Sequence, residues 1–279
     1  MENQQNLSNK TNPEDFGETA GIVDLADFPK WILYEDENLI VVNKPGWLVC
    51  HPSKNGPCSS LVGAAREYLK LEVLHLVSRL DRETSGVIVM AKNKETASAA
   101  QKAVDGRGDV AKKYLAILEG HMIGSVTVSQ PLADDKKSLV AIKTCCAMQK
   151  PSAKNAVTIF KPIALSQNSS LPPATLAEVE IITGRKHQIR AHAQWIGHNV
   201  VADKIYGHDE TLYLDFVDGG FTPDMAKVLP MKRQALHAFS MDFTKVFNNP
   251  SMNFKAPLHK DFRDFMISRQ ISLPEEFDI

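Results

Sequence analysis

Residues 78–86 read Ser-Arg-Leu-Asp-Arg-Glu-Thr-Ser-Gly, which sets one carboxylate, Asp81, between the guanidinium groups of Arg79 and Arg82. Flanking cations favour the ionised form of an acid, and an ionised carboxylate can act as a nucleophile or a base. The string runs directly into Val87-Ile88-Val89-Met90, so it reads as a tight polar turn feeding a strand. Most Arg-x-Asp-Arg strings are solvated loops whose surface ion pairs contribute little. What gives this one weight is a second constellation far downstream.

There, residues 183–192 read Thr-Gly-Arg-Lys-His-Gln-Ile-Arg-Ala-His, directly after the alternating run 176–182. A strand, a glycine and a basic helix start form an anion-binding layout, because the amides and dipole at a helix N-terminus favour phosphate. The helix is expected to reach Trp195 or Ile196, with Gly197 as its stop. On it His187, Arg190, Ala191 and Gln194 share one face, so Arg190 can point into a cleft while Ile189, Ala193 and Ile196 pack inward. Tyr114 is a third candidate, in the strand-like run 112–118, where it shares a face with Ala116 and Leu118. Taken alone, a tyrosine so placed is an ordinary core residue.

Together these strings resemble an RNA pseudouridine synthase of the RluA type. The resemblance is carried by residues 32–52 (Ile-Leu-Tyr-Glu-Asp-Glu-Asn-Leu-Ile-Val-Val-Asn-Lys-Pro-Gly-Trp-Leu-Val-Cys-His-Pro), 79–86, 113–120 (Lys-Tyr-Leu-Ala-Ile-Leu-Glu-Gly), and 183–190 with the continuation 196–207. A weaker echo follows at Leu236-His237 and Phe254-Lys255-Ala256-Pro257. The resemblance implies that Asp81 is the catalytic aspartate, Arg190 its paired arginine and Tyr114 the base-stacking tyrosine. Arg79 falls where the family fills the gap left by the everted nucleotide. Arg79, Arg82, Thr84, Arg185, Lys186, His187 and Gln188 are the expected RNA contacts. One departure is Ser78, where the family usually has histidine; it bears on contacts to RNA more than on the chemistry. The implied fold is α+β, a largely antiparallel mixed sheet with flanking helices.

Converting uridine to pseudouridine breaks the C1′–N1 bond and makes a C1′–C5 bond. Glycosidases need a second carboxyl group to protonate a poor leaving group, whereas a uracil anion spreads its charge over two carbonyls, so one acid suffices. Asp81 would attack C1′ or remove the C2′ proton. Burial would raise its pKa, and an adjacent Arg190 opposes that by about 1–3 units. The target nucleotide must leave its stack, and a ring such as Tyr114 holds an unstacked base with on the order of 1–3 kcal/mol. Two other readings share these residues: a non-catalytic RNA-binding protein of the same fold, and a glycosylase that releases uracil.

The formal net charge of −1 is unevenly spread. Residues 1–28 hold six acids and one base, so 29–279 carry a net charge of +4. A modest basic field of that kind suits structured RNA, with strongly salt-dependent binding. The acidic segment 1–28 is expected to be flexible and 29–279 to form one catalytic domain, with no S4-type RNA-binding module; its absence favours a small hairpin in ribosomal or transfer RNA. The opening residues are neither signal nor transit peptide, and no apolar run approaches the ~20 residues of a membrane span. A cytoplasmic monomer is expected. Cys50, Cys58, Cys145 and Cys146 lack CxxC spacing and read as free thiols, and the nine histidines form no zinc pattern. No metal and no cofactor is expected, and His187 reads as a cleft or helix-cap residue.

The expected elements are a hairpin of 31–34 with 39–43, a helix at 61–70, a strand at 86–92 and a helix at 94–104. Strands follow at 111–118, 139–148, 156–163 and 176–182, with an exposed loop at 165–175. Hairpins mixed with inserted helices favour α+β over a parallel wound sheet.

Overall fold

The computed structural model describes residues 21–51, 55–105 and 109–279. Most of the acidic segment, residues 1–20, lies outside the described residues, as does Pro52. The chain order is β1 (Ile32–Glu35), β2 (Leu39–Lys44), α1 (Leu61–Leu69), β3 (His75–Leu76), β4 (Ser85–Ala91), α2 (Lys94–Asp105), β5 (Ala111–Glu119), β6 (Val126–Val128), β7 (Leu132–Asp134), β8 (Thr144–Cys146), β9 (Thr158–Leu165), β10 (Ala174–Ile181), α3 (Gln188–Trp195), α4 (Thr211–Gly219), α5 (Met225–Val228), β11 (Leu236–Asp242), α6 (Thr244–Phe247), β12 (Asn253–Lys255) and α7 (Lys260–Ser268).

Local chemistry sets many of the boundaries. Asp36 Oδ1 accepts the N–H groups of Asn38 and Leu39 at 2.8 and 2.7 Å, turning the β1–β2 hairpin. Ser60 Oγ accepts from the Gly63 N–H at 3.1 Å and starts α1, which ends where Lys70 adopts a left-handed φ of 54°. In α2, Ala97, Ala100 and Ala103 recur at helical spacing and are buried against β4.

The main sheet runs β1-β2-β4-β11-β5-β10-β9-β6, with β3 on β4 and β12 on β11; β7 and β8 form a separate ribbon. Among the described pairings β11 with β4 is parallel and the others are antiparallel. The sheet is therefore mixed and largely antiparallel, as the sequence implied. β2 and β4 are buried at every position, the pattern of strands covered on both faces. One core joins β5, β10 and β11 to α3 and α7; two others cover β2 and β4 from the α2 side and the α1 side.

The parallel junction positions the site. Gly86 pairs with Ala238, and Ala238 pairs with Tyr114, so the strand fed by the Asp81 turn and the strand bearing Tyr114 meet across β11. Two strand spacings of about 4.8 Å separate them. Gly86 has a φ of 111°, and a Cβ there would come within 2.2 Å of the Ala238 carbonyl oxygen, so a glycine is needed for this approach. The neighbouring pair is polar. His237 Nε2 donates to the Ala256 carbonyl at 3.0 Å, which leaves Nδ1 to accept from Ser85 Oγ at 2.9 Å. Burial pushes the pKa of His237 down to about 3, in keeping with this neutral tautomer.

Two expectations need correction. The strand expected over 139–148 shrinks to Thr144–Cys146. Its front half is a turn, with Leu139 68% exposed and Val140 buried, because the Ser138 hydroxyl, the Leu139 N–H and the Lys143 ammonium all converge on Glu210. The loop expected over 165–175 is shorter at both ends: β9 continues to Leu165 and β10 begins at Ala174, with Ser166 Oγ accepting the Ala174 N–H. The four cysteines are free thiols. Among the described residues no helix is long and apolar enough to cross a membrane, and no cluster of His, Cys, Asp and Glu could hold a metal ion.

Candidate active site

The turn before β4 is closed by the Thr84 N–H on the Asp81 carbonyl at 3.1 Å, which fixes the Asp81 backbone at the head of a buried strand. α3 supplies the partner. Its first residue follows His187, whose φ of 56° turns the chain from the 182–187 loop into the helix. From the first turn of α3, Arg190 Nη1 donates to Asp81 Oδ2 at 2.8 Å, joining residues far apart in sequence.

Arg190 does more than pair with Asp81. Its Nε and Nη2 donate to Asp203 Oδ2 and Oδ1 at 2.6 and 2.8 Å, and its guanidinium carbon lies 5.0 Å from the centre of the Tyr206 ring. The Asp203 side chain is fully buried, and its Oδ1 also accepts the N–H groups of Ile205 and Tyr206. A bidentate grip of this kind fixes the plane of the guanidinium as well as its position. Asp81 in contrast keeps 25% of its side chain exposed.

Burial alone would raise the Asp81 pKa, but His187 and Arg190 oppose it and hold the carboxyl below the usual aspartate value. His187 Nε2 sits 3.8 Å from Asp81 Oδ1, yet burial pushes its own pKa down to about 4. Near neutral pH it is uncharged, and Arg190 supplies the positive charge. Burial disfavours the Arg190 cation, and Asp203 and Asp81 more than compensate. Asp203, which burial would raise, is held low by Arg190.

Tyr114 borders an inner pocket of about 70 Å³ together with Asp81, Arg190, Ile181 and Leu236. Burial and the nearby Asp81 charge raise its phenol above the ordinary tyrosine value, so it stays protonated. Beyond this pocket opens a cleft of about 590 Å³ that also touches Asp81 and Tyr114 and has Arg79, Lys112, Arg185 and Lys186 along its walls.

The structure thus brings Asp81, Tyr114 and Arg190 to one pocket, with Arg79, Arg185, Lys186 and His187 bordering the cleft. It turns other expected contacts inward. The Thr84 hydroxyl, 2% exposed, accepts the Gln234 amide at 2.7 Å. Gln188, 3% exposed, accepts from the Thr183 hydroxyl and the Arg185 N–H and donates to Val157 and Thr158, so it shapes the basic loop from within. Arg82 Nε donates to the Trp47 carbonyl at 3.0 Å, and its guanidinium lies over Phe216. His187 stands at the start of α3 without capping it, its Nδ1 3.1 Å from the Tyr206 hydroxyl. Asp203 and Tyr206 escaped the sequence reading as site residues. Their only signal was membership of the motif continuation 196–207.

Known proteins resemble this chain along most of its length. The RNA pseudouridylate synthase family matches residues 38–195, a span that includes Asp81, Tyr114 and Arg190. An uncharacterized RNA pseudouridine synthase of Mycoplasma pneumoniae is 38% identical over 240 residues, 85% of this chain and 70% of the relative. The ribosomal large subunit pseudouridine synthase D of Zymomonas mobilis is 31% identical, over 88% of this chain and 75% of its own length. Among solved structures, human RNA pseudouridylate synthase domain containing 4 aligns with a TM-score of 0.67 at 25% identity, covering 90% of this chain and 97% of that one. The chain belongs to the RNA pseudouridylate synthase family. Within that family it is of the RluA type, an RNA pseudouridine synthase and hence an isomerase.

Proposed function

We propose that this enzyme isomerises specific uridines in ribosomal or transfer RNA, with Asp81 as the catalytic carboxylate, Arg190 as the cation that keeps it ionised and oriented, and Tyr114 as the platform for the everted base. The observation that carries this reading is the 2.8 Å contact of Arg190 Nη1 with Asp81 Oδ2 at a pocket shared with Tyr114. Asp81 either attacks C1′ or removes the C2′ proton; both need its ionised form, which the pairing favours. A two-carboxylate glycosidase arrangement is disfavoured, because Asp203 is buried with both oxygens on Arg190 and Glu83 is engaged by Lys204.

Arg79, Arg185 and Lys186 hold the RNA backbone along the cleft, and Arg79 fills the place the target nucleotide vacates. Arg82, Thr84, His187 and Gln188 support the two loops that carry these groups. The enzyme acts as a monomer in the cytoplasm. Asp81→Ala tests the assignment: binding of a ribosomal or transfer RNA stem-loop stays within a few-fold while pseudouridine in that RNA disappears. Unchanged pseudouridine in that variant would remove the role given to Asp81. Free uracil released by the unaltered enzyme would mean that the detached base escapes instead of being rejoined.

A further inference from the structure

Asp203 and Lys204 are adjacent in the chain, and each binds a different part of the reacting centre. Asp203 grips the Arg190 guanidinium through two oxygens. Lys204, 1% exposed, donates from Nζ to Glu83 Oε1 at 2.6 Å and to the Lys232 carbonyl at 2.7 Å. Glu83 lies two residues after Asp81 in the same turn. One acid therefore holds the cation that holds the Asp81 side chain, and the neighbouring cation holds the turn that carries the Asp81 backbone.

Two features set this dipeptide apart from an ordinary buried ion pair. Ala202, immediately before it, is 3% exposed and has a φ of 59°. A left-handed conformation is costly for an L residue and persists where the surroundings over-determine it. The second feature is the company Lys204 keeps: its ammonium lies 4.4 Å from the centre of the Phe216 ring and 5.6 Å from that of Phe221. A buried ion pair is weak evidence for stability, since apolar residues of similar volume often serve a core as well. What a charged pair adds is a fixed direction and distance between the two segments it joins.

We propose that Asp203 and Lys204 act together as positioning residues for the isomerisation, clasping α3 and the 81–84 turn so that Asp81 and Arg190 meet in one geometry. The proposal rests on the assignment of the chemistry to Asp81. Misplacing a reacting group by about 1 Å can cost on the order of 100-fold in rate, which sets the scale of the effect.

The test compares single-turnover pseudouridine formation, RNA affinity, Tm and the pH–rate profile for Asp203→Asn, Lys204→Met, Glu83→Gln and the double variant Glu83→Gln with Lys204→Met. Asparagine still accepts the two backbone N–H groups at Asp203 Oδ1 but loses the charge. The expected result for Asp203→Asn is a loss of about 30- to 100-fold in rate with RNA affinity within about threefold. Its acid limb should also move upward, because an Arg190 free to leave no longer offsets the burial of Asp81. A limb that stays in place or moves downward would show that Arg190 keeps its hold unaided, and would overturn the role of Asp203.

Lys204→Met and Glu83→Gln should each lose about tenfold in rate. The double variant, which strands no buried charge, should recover the Tm of the unaltered enzyme while remaining slow. Recovery of both Tm and rate would reduce the pair to a fold-holding contact and overturn the role of Lys204. Asp81→Ala, measured beside them, separates the two levels. An inactive Asp81→Ala with fast clasp variants overturns the clasp alone, whereas an active one overturns the assignment of Asp81 and the clasp with it.

Discussion

The turn at 81–84 and the segment around β7 and β8 both border the cleft, yet they are held in opposite ways. Every residue of the turn is tied down by a side chain from elsewhere. Arg190 binds the Asp81 carboxylate, Lys44 donates to the Arg82 carbonyl, Lys204 pairs with Glu83, and Gln234 reaches the Thr84 hydroxyl. Lys44 is fully buried; its Nζ also donates to the Pro45 and Leu48 carbonyls, matching three protons to three acceptors although burial lowers its pKa to about 8. The β7–β8 segment instead leaves Leu139 and Met148 each 68% exposed, and the neighbouring Lys186 pairs with Asp134 at the surface. Chemistry needs fixed geometry, and buried charge supplies it by making any other arrangement costly. Docking a flexible polyanion needs mobile cations that solvent can reach.

The contrast can be broken most directly at Arg190. Arg190→Met strands the buried Asp203 without its cation, and breaking a buried pair costs about 3–5 kcal/mol; the variant should melt earlier and form pseudouridine on the order of 100- to 1000-fold more slowly. A variant that kept its rate would show that the turn holds Asp81 without help.

Acid should loosen the clamped region before it affects the cleft-facing cations. His187 and His237 are buried, with pKa values pushed down to about 4 and about 3. Below the unfolded value of about 6.5 the unfolded chain binds these protons and the native state does not, so stability is lost as pH falls from about 6.5 towards 4. Each should contribute on the order of 3 kcal/mol of this loss by pH 4. His192 and His259, lowered by burial, add in the same direction. Tm measured across that window should fall steadily; a flat profile would contradict the neutral buried imidazoles.

Tyr114 sharpens the comparison, since it stands where fixed and docking surfaces meet. Tyr114→Phe keeps the ring and should bind RNA within about threefold, while Tyr114→Ala should lose on the order of 1–3 kcal/mol of base stacking. Equal behaviour of the two variants would count against a stacking role. On the docking side, Arg185→Ala and Lys186→Ala should each weaken RNA binding without favouring one sequence over another, and lower the slope of log K against log salt by about 1. An unchanged salt slope would place the phosphates elsewhere.

The smallest effect is expected far from the cleft. Lys70 ends α1 with an exposed side chain and a φ of 54°, so Lys70→Gly should relieve left-handed strain and stabilise by roughly 0.5–1 kcal/mol, read as a small rise in Tm at unchanged activity.

The turn around Asp81, the strand of Tyr114 and the helix of Arg190 were legible in the sequence because each is specified locally, by alternation, by helical spacing and by a polar string that runs into the apolar residues 87–90. The sheet order was not, because β11 enters between β4 and β5 from far along the chain, and its only trace was the echo at Leu236-His237. The strand expected over 139–148 failed for a related reason. Apolar residues there looked like a strand, but the segment pairs only briefly with β7, and Glu210 draws the rest into a turn.

The sequence by itself determined the candidate groups and their kinds: one aspartate among cations, a tyrosine on a strand, an arginine on a basic helix. Only the tertiary structure decided which partners those groups have. It joined Arg190 to both Asp81 and Asp203, buried one acid and left the other facing the cleft, and turned Thr84 and Gln188 inward. Residue type fixes the charge a side chain can carry, but burial and the distance to the nearest opposite charge depend on long-range packing that no local pattern encodes.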